Sequence, residues 1–153
     1  MSNCGLSNDQ LVVSNDEDDF YGRKYWESHQ TQDLDQPDIV TRSRSDLTER
    51  SLYWLRTILK YKLPSAKILE LGSAHGGFVA LLNRAGYEAH GLELSPFIVD
   101  YAKKTFGVPM YCGPIESHNT AASSLDIICL MYVIEHLPYP ESTMKYCMNL
   151  LNF

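Results

Sequence analysis

No paired cysteines, no concentrated positive charge and no long apolar run occur in these 153 residues, and each absence excludes something. The four cysteines, at positions 4, 112, 129 and 147, include no C-x-x-C pair. A zinc ribbon needs paired thiolates at short spacing, so no metal site is expected. Cys112, Cys129 and Cys147 read instead as small buried hydrophobes, in keeping with a reducing compartment. Thirteen Lys and Arg stand against 19 Asp and Glu, a formal net charge of −6. The one basic cluster, over 42–50, is interrupted by Asp46 and Glu49. Phosphate-backbone binding wants clustered positive charge, so no nucleic-acid partner is expected. The longest apolar run, 127–134, is far too short to span a bilayer, and the first eight residues hold no secretory apolar stretch. No membrane partner is expected, and the expected location is the cytoplasm.

What is present fits one globular domain, with 44% apolar and 21% charged residues. Residues 1–20 are polar and end in Asp16-Glu17-Asp18-Asp19, a segment too poor in apolar surface to offset its ordering entropy. A disordered acidic leader is expected there. Residues 21–45 hold an aromatic cluster (Tyr21, Tyr25, Trp26) and then polar linker, and regular patterning starts at 46 and runs to 153.

Asp46-Leu-Thr-Glu49 has the form of an N-cap with a capping-box glutamate. Leu52, Leu55, Leu59 and Leu63 then predict one helical face, ended by Pro64. Residues 66–71 predict a strand running into Gly72. A helix over about 76–85 follows, with Phe78, Leu81, Leu82 and Ala85 on one face and Gly86 as its stop. Residues 88–94 predict a second strand, and Ser95-Pro96 a helix start that runs to Phe106 and Gly107. Residues 109–112 and 125–132 predict two further strands. A last helix, about 140–151, places Met144, Cys147, Met148 and Leu151 on one face. Strands alternating with helices mean an α/β fold with a parallel sheet.

The chemistry-bearing stretch is Ile68-Leu-Glu70-Leu-Gly72-Ser73-Ala74-His75-Gly76-Gly77-Phe78, a strand, a glycine-rich turn and a helix start. Such a turn needs residues that tolerate positive φ, so Gly72 and Gly76 are expected where a ligand approaches the main chain. Glu93 ends the second strand 21 positions after Gly72, where a carboxylate can accept hydrogen bonds from both hydroxyls of a ribose. The glycines alone also suit a dinucleotide. Glu70, just before the turn, separates the two readings. Its carboxylate suits a cationic ligand and would repel a pyrophosphate.

These residues resemble motif I of the class I S-adenosylmethionine-dependent methyltransferases, an acidic residue followed by G-x-G-x-G. Gly91-Leu92-Glu93-Leu94-Ser95 is similar to that family's ribose-binding strand end. Cys112-Gly113-Pro114-Ile115-Glu116 resembles its adenine-flanking loop, and 125–137, with Glu135-His136, its fourth-strand motif. The resemblance covers 46–151. It implies a Rossmann-like three-layer sandwich with a mostly parallel sheet in the order 3-2-1-4, truncated after the fourth of seven strands. It implies S-adenosyl-L-methionine as cofactor, held by Glu70, Gly72, Ser73, Ala74, Gly76, Glu93, Leu94, Ile115, Glu116 and Met131. Two departures stand out. Ala74 replaces the middle glycine, and Pro114 replaces an adenine-loop aspartate, leaving that contact to the Ile115 backbone and to Glu116.

The expected function is methyl transfer to the oxygen, nitrogen or carbon of a small-molecule acceptor. A cofactor-binding fragment without turnover is the alternative, and a NAD-dependent oxidoreductase a more distant one. His136, on a helix after strand four, could serve as general base, or could with Glu135 only pack and hydrogen-bond at the strand–helix junction. Tyr21, Tyr25, Trp26 and His29 could form a lid or merely anchor the leader. Leu130-Met131-Tyr132-Val133 lacks the paired prolines of the nucleobase amino-methyltransferase tetrad, which counts against a base amine as acceptor. The uncharged strand over 127–133 would present an unpaired edge, so self-association through it is expected.

Overall fold

The computed structural model describes Gly22, Arg23, Trp26 and residues 37–153. The acidic leader, Tyr21, Tyr25 and His29 lie outside the described residues. Among the described residues Asp38 opens a long helical run, its carboxylate accepting from the backbone N–H of Val40 (2.9 Å) and Thr41 (3.0 Å). Helix α1 (Ile39–Asp46) passes through a π-helical turn, Leu47–Ser51, into α2 (Leu52–Tyr61). The run therefore begins inside the stretch read as linker. Asp46, read as an N-cap, lies within it at helical φ and ψ and makes no cap bond. Its carboxylate has side-chain partners instead, and Asp38 supplies the cap. The face of α2 also differs from the leucine pattern. Ser51, Trp54, Leu55 and Ile58 turn toward the core, while Leu52, Leu59 and Leu63 are exposed. Trp54 sets that rotation by packing edge-on to Phe78, with ring centroids 5.3 Å apart.

Four parallel strands follow, β1 (Lys67–Leu71), β2 (Glu88–Glu93), β3 (Met110–Cys112) and β4 (Ile127–Leu130), in the spatial order β3-β2-β1-β4. Helices α3 (Gly77–Arg84), α4 (Pro96–Phe106) and α5 (Pro140–Leu150) connect and flank them. Period-2 alternation along β1 divides the core. Ile68 joins Ile58, Phe78, Val79, Leu82, Val99 and Ala102 under α2, α3 and α4. Leu69 and Leu71 join Leu92, Ile115, Cys147 and Leu150 under α5. This is the three-layer α/β arrangement with the expected strand order. Ser95 caps α4 as its sequence suggests, accepting from Ile98 N–H, with Pro96 at the first helical position.

Two local readings change. Strand β4 is four residues long, because the chain turns at Tyr132, whose φ is +58°. Helix α5 buries Thr143, Cys147 and Leu150, and it leaves Met144 and Met148 exposed. The Thr143 hydroxyl fixes that face by donating to Glu116 (3.0 Å). Strand β4 is the sheet edge, and just before it Leu125 bridges Leu151 in parallel, with Asn152 N–H donating to the Leu125 carbonyl at 2.8 Å.

Gly76 has φ +76°, and a Cβ placed on it would lie 2.9 Å from the Ala102 Cβ and 3.2 Å from Val108 Cγ2. Its bare side thus faces α4 rather than the outside of the turn. Gly76→Leu is expected to destabilise the fold by about 3 kcal/mol or more, through strained φ and overpacking together. Urea unfolding followed by circular dichroism reads this, and a native-like midpoint would show that the turn has room to spare.

Candidate functional site

Winding of the sheet reverses at β1. The loops after β1 and β4 diverge there, and ligands of open α/β sheets bind in the crevice at the carboxyl ends of the strands. The candidate residues all sit at that edge: 70–76 around the end of β1, 93–94 at the end of β2, 115–116 after β3 and Met131 after β4.

Glu70 is 4% exposed, and its Oε2 has no hydrogen-bond partner among the described residues. Burial, and secondarily the neighbouring Glu93 carboxylate, pushes its pKa well above the usual carboxylate range. A buried carboxyl oxygen without a partner is costly unless a polar or charged group pairs with it. A cationic group does so, by drawing the carboxylate into its charged form. The side chain therefore fits the sulfonium and amino group of S-adenosylmethionine.

Glu93 is also buried, and its pKa is raised by burial against the pull of three backbone N–H donors. Its Oε2 accepts from Ala74 (3.0 Å), and its Oε1 accepts from Leu94 (2.8 Å) and Ser95 (3.1 Å). A carboxylate offers about four lone-pair sites, so about one remains for a hydroxyl rather than a pair. The reading from sequence missed these donors because all three are main-chain groups. Ala74 adopts φ +45° in the turn, so the missing middle glycine is accommodated at the cost of a left-handed alanine.

Other candidates have structural partners. Ser73 Oγ donates to the Leu92 carbonyl (3.3 Å) and fastens the turn to β2. A Cβ on Gly72 would collide with the Val133 side chain, so the loop after β4 lies directly on this glycine. Ile115 is buried in the layer under α5, and Glu116 accepts from Thr143. Met131 is partly buried against the core, and Leu94 is half exposed. His136 belongs to a short 3-10 turn, Ile134–His136, not to a helix, and both it and Glu135 are exposed. Trp26 is buried with the Arg42 guanidinium 5.8 Å from its ring.

Sequence reasoning passed over His75 and Arg50. His75 is 5% exposed, and its Nε2 lies 2.9 Å from Asp46 Oδ2. Burial pushes the Asp46 pKa up, but hydrogen bonds from His75 and Arg50 and the Arg50 charge outweigh it and hold the carboxyl at about 2. The only signal in the sequence was a histidine inside a glycine turn.

Residues 69–152 match the family described as "Methyltransferase domain". A ubiquinone biosynthesis O-methyltransferase of Coxiella burnetii is 28% identical over 94 residues, 58% of this chain and 40% of that protein. The chain thus spans about two fifths of the length of the curated relatives it matches. A TehB-like S-adenosylmethionine-dependent methyltransferase from Corynebacterium glutamicum superposes with a TM-score of 0.59 at 20% identity, over 74% of this chain and 65% of that one. A possible histamine N-methyltransferase from Thermotoga maritima gives 0.57 at 25% identity, over 74% and 53%.

Proposed function

The chain belongs to the methyltransferase-domain family, and from that premise we propose that it binds S-adenosyl-L-methionine at the β1/β4 crevice and transfers the methyl group to a small-molecule oxygen, nitrogen or carbon. The observation that carries the proposal is Glu70, a fully buried carboxyl group with an unpartnered oxygen at the end of the central strand. Bound there, the cofactor supplies a methyl group on a positively charged sulfur, which is an excellent leaving group. Glu70 holds the positive charge, and Glu93 turns its remaining acceptor capacity to the ribose. Ile115 and Glu116 flank the adenine, while Gly72, Ser73, Ala74, Gly76, Leu94 and Met131 shape the surface between them. What remains for the protein is in-line positioning of the two reactants. A base is needed only for an acceptor that carries a proton, and exposed His136 on the loop after β4 is the group proposed for it.

The acceptor class is supported by the relatives' names, one a ubiquinone biosynthesis O-methyltransferase and another a possible histamine N-methyltransferase. Among the described residues no helix is long and apolar enough to cross a membrane. Isothermal titration with S-adenosylmethionine, S-adenosylhomocysteine and NAD tests the cofactor, with the first two expected to bind more tightly. Tighter NAD binding would end this reading. Binding without methyl transfer to a panel of phenols, amines and carbon acids would select the cofactor-binding module instead.

A further inference from the structure

A buried carboxylate that the proposed reaction does not use, Asp46, gathers a buried histidine and two partly buried arginines at the junction of α1 and the π-helical turn. Its Oδ2 meets His75 Nε2 at 2.9 Å and Arg42 Nε at 3.6 Å. Its Oδ1 accepts from Arg50 Nε at 3.0 Å and also from Arg50 Nη2. His75 Nδ1 accepts from Gly77 N–H (3.1 Å), so Nε2 carries the proton and donates to Asp46. His75 is part of the glycine turn, and the helical run before β1 is thereby bonded directly to that turn.

Arg50 faces a second loop. Its guanidinium lies 5.6 Å from the Tyr132 ring and 5.9 Å from the Trp54 ring, and those two rings are 6.1 Å apart. Tyr132 holds a left-handed φ of +58°, a strained conformation for a non-glycine residue that persists only where surroundings enforce it. The next residue, Val133, covers Gly72. A chain of contacts therefore runs from one wall of the crevice through Asp46 and Arg50 to the other. The π-helical turn contributes by carrying Arg50 on the turn after Asp46, and such turns are frequent at functional sites.

We infer that Asp46 is a positioning residue for the glycine turn and that Arg50 extends its hold to the loop after β4, so that the helical run before β1 sets the width of the cofactor crevice. This rests on the cofactor reading above. Neither residue touches the cofactor in this scheme. Each acts through another, Asp46 through His75 and Arg50 through Tyr132.

The test uses the whole 153-residue chain with Asp46→Asn, His75→Gln, their double variant, Arg50→Ala and Arg50→Lys. Titration with S-adenosylhomocysteine separates positioning from folding, since lost fold lowers the stoichiometry while lost positioning raises Kd at full stoichiometry. Asp46→Asn is expected to raise Kd about tenfold at unchanged stoichiometry, the size of one charge-assisted bond. His75→Gln, which removes only the bond to Oδ2 and leaves Arg50 on Oδ1, should raise Kd in the same direction and no further than Asp46→Asn. The double variant should match Asp46→Asn, because both already lack the Asp46–His75 bond. Arg50→Ala should speed amide exchange at 131–134, and Arg50→Lys should restore part of the protection. A lower stoichiometry with native Kd in every variant would make the cluster merely structural and overturn the inference. If the wild-type chain binds no S-adenosylhomocysteine, the cofactor reading fails, and exchange then decides this one alone. Faster exchange at both 72–78 and 131–134 in Asp46→Asn supports the coupling, and unchanged exchange refutes it.

Discussion

Glu70→Gln is expected to raise the unfolding temperature at neutral pH while weakening S-adenosylmethionine binding at least about tenfold, two effects that a merely structural glutamate would not combine. The stability half follows from burial. Folding pushes the Glu70 pKa well above its ordinary 4.5, chiefly by desolvation and then by the Glu93 charge. A group whose folded pKa is raised contributes stability that is complete below the unfolded value and lost as pH rises. The wild-type chain therefore forfeits stability at this position as pH climbs above 4.5, whereas glutamine has no proton to lose. The two melting temperatures should coincide near pH 4 and separate by about 4 °C or more at pH 7. Other groups facing Glu70 do not reverse the sign. Glu93 is raised as well, and the Cys129 thiol, across the β1–β4 ladder, is pushed up to about 12 by burial and then by Glu70 itself. The binding half follows from charge. Only a carboxylate can ionise in answer to a cation, so the neutral amide loses the charge-assisted contact. Thermal melts across this pH range, with titrations at pH 7, read both halves. Unchanged affinity in Glu70→Gln would take the cationic end of the ligand away from this residue and leave the cofactor reading without its main support.

What the sequence disclosed and what it hid divide along one physical line. The glycine turn, the Ser95 cap with Pro96 behind it, and the run of strands and helices rest on backbone rules that operate over a few residues, and the structure shows them where expected. Strand order was legible through resemblance rather than through spacing. The misread helix faces and the misread cap involve partners distant in the chain. Asp46 had the local look of a cap, but His75 lies 29 residues away and claims its carboxylate. The leucines of α2 had the right period, yet Trp54 against Phe78 decided which side faces in. Met144 and Met148 lost the inner face of α5 to Thr143, whose bond to Glu116 spans 27 residues. Gly76 was correctly singled out for its backbone, but its open side proved to belong to Ala102 and Val108.

Glu93→Ala should produce the largest loss of affinity of any single substitution at this edge, about hundredfold or more, while Glu88→Ala should leave binding unchanged. Both carboxylates lie on β2, at its two ends. Glu88 is exposed at the amino end, on the far side of the sheet from the crevice. Glu93 is buried at the carboxyl end and accepts from Ala74, Leu94 and Ser95. Removing its carboxylate costs a ligand twice over. The ribose loses a charged acceptor, and Ala74 N–H loses the bond that holds the glycine turn toward β2. Hydrogen bonds to charged groups contribute about 1.5–3 kcal/mol each, so loss of two such contacts reaches the hundredfold range. The same three N–H groups, left without an acceptor, should also lower folding stability by about 2 kcal/mol or more. Saturating ligand then recovers little of it, because the ligand gains little from a turn that no longer holds its shape. Glu93→Gln separates the two losses. Its amide keeps one acceptor oxygen for Leu94 and Ser95, but it presents an NH2 group to Ala74 N–H, donor against donor. It should therefore fold better than Glu93→Ala and still bind poorly. Titration of the three variants, paired with denaturant melts, distinguishes these outcomes. Equal affinities for Glu93→Ala and Glu88→Ala would remove Glu93 from the cofactor site and leave it as the anchor of the turn alone.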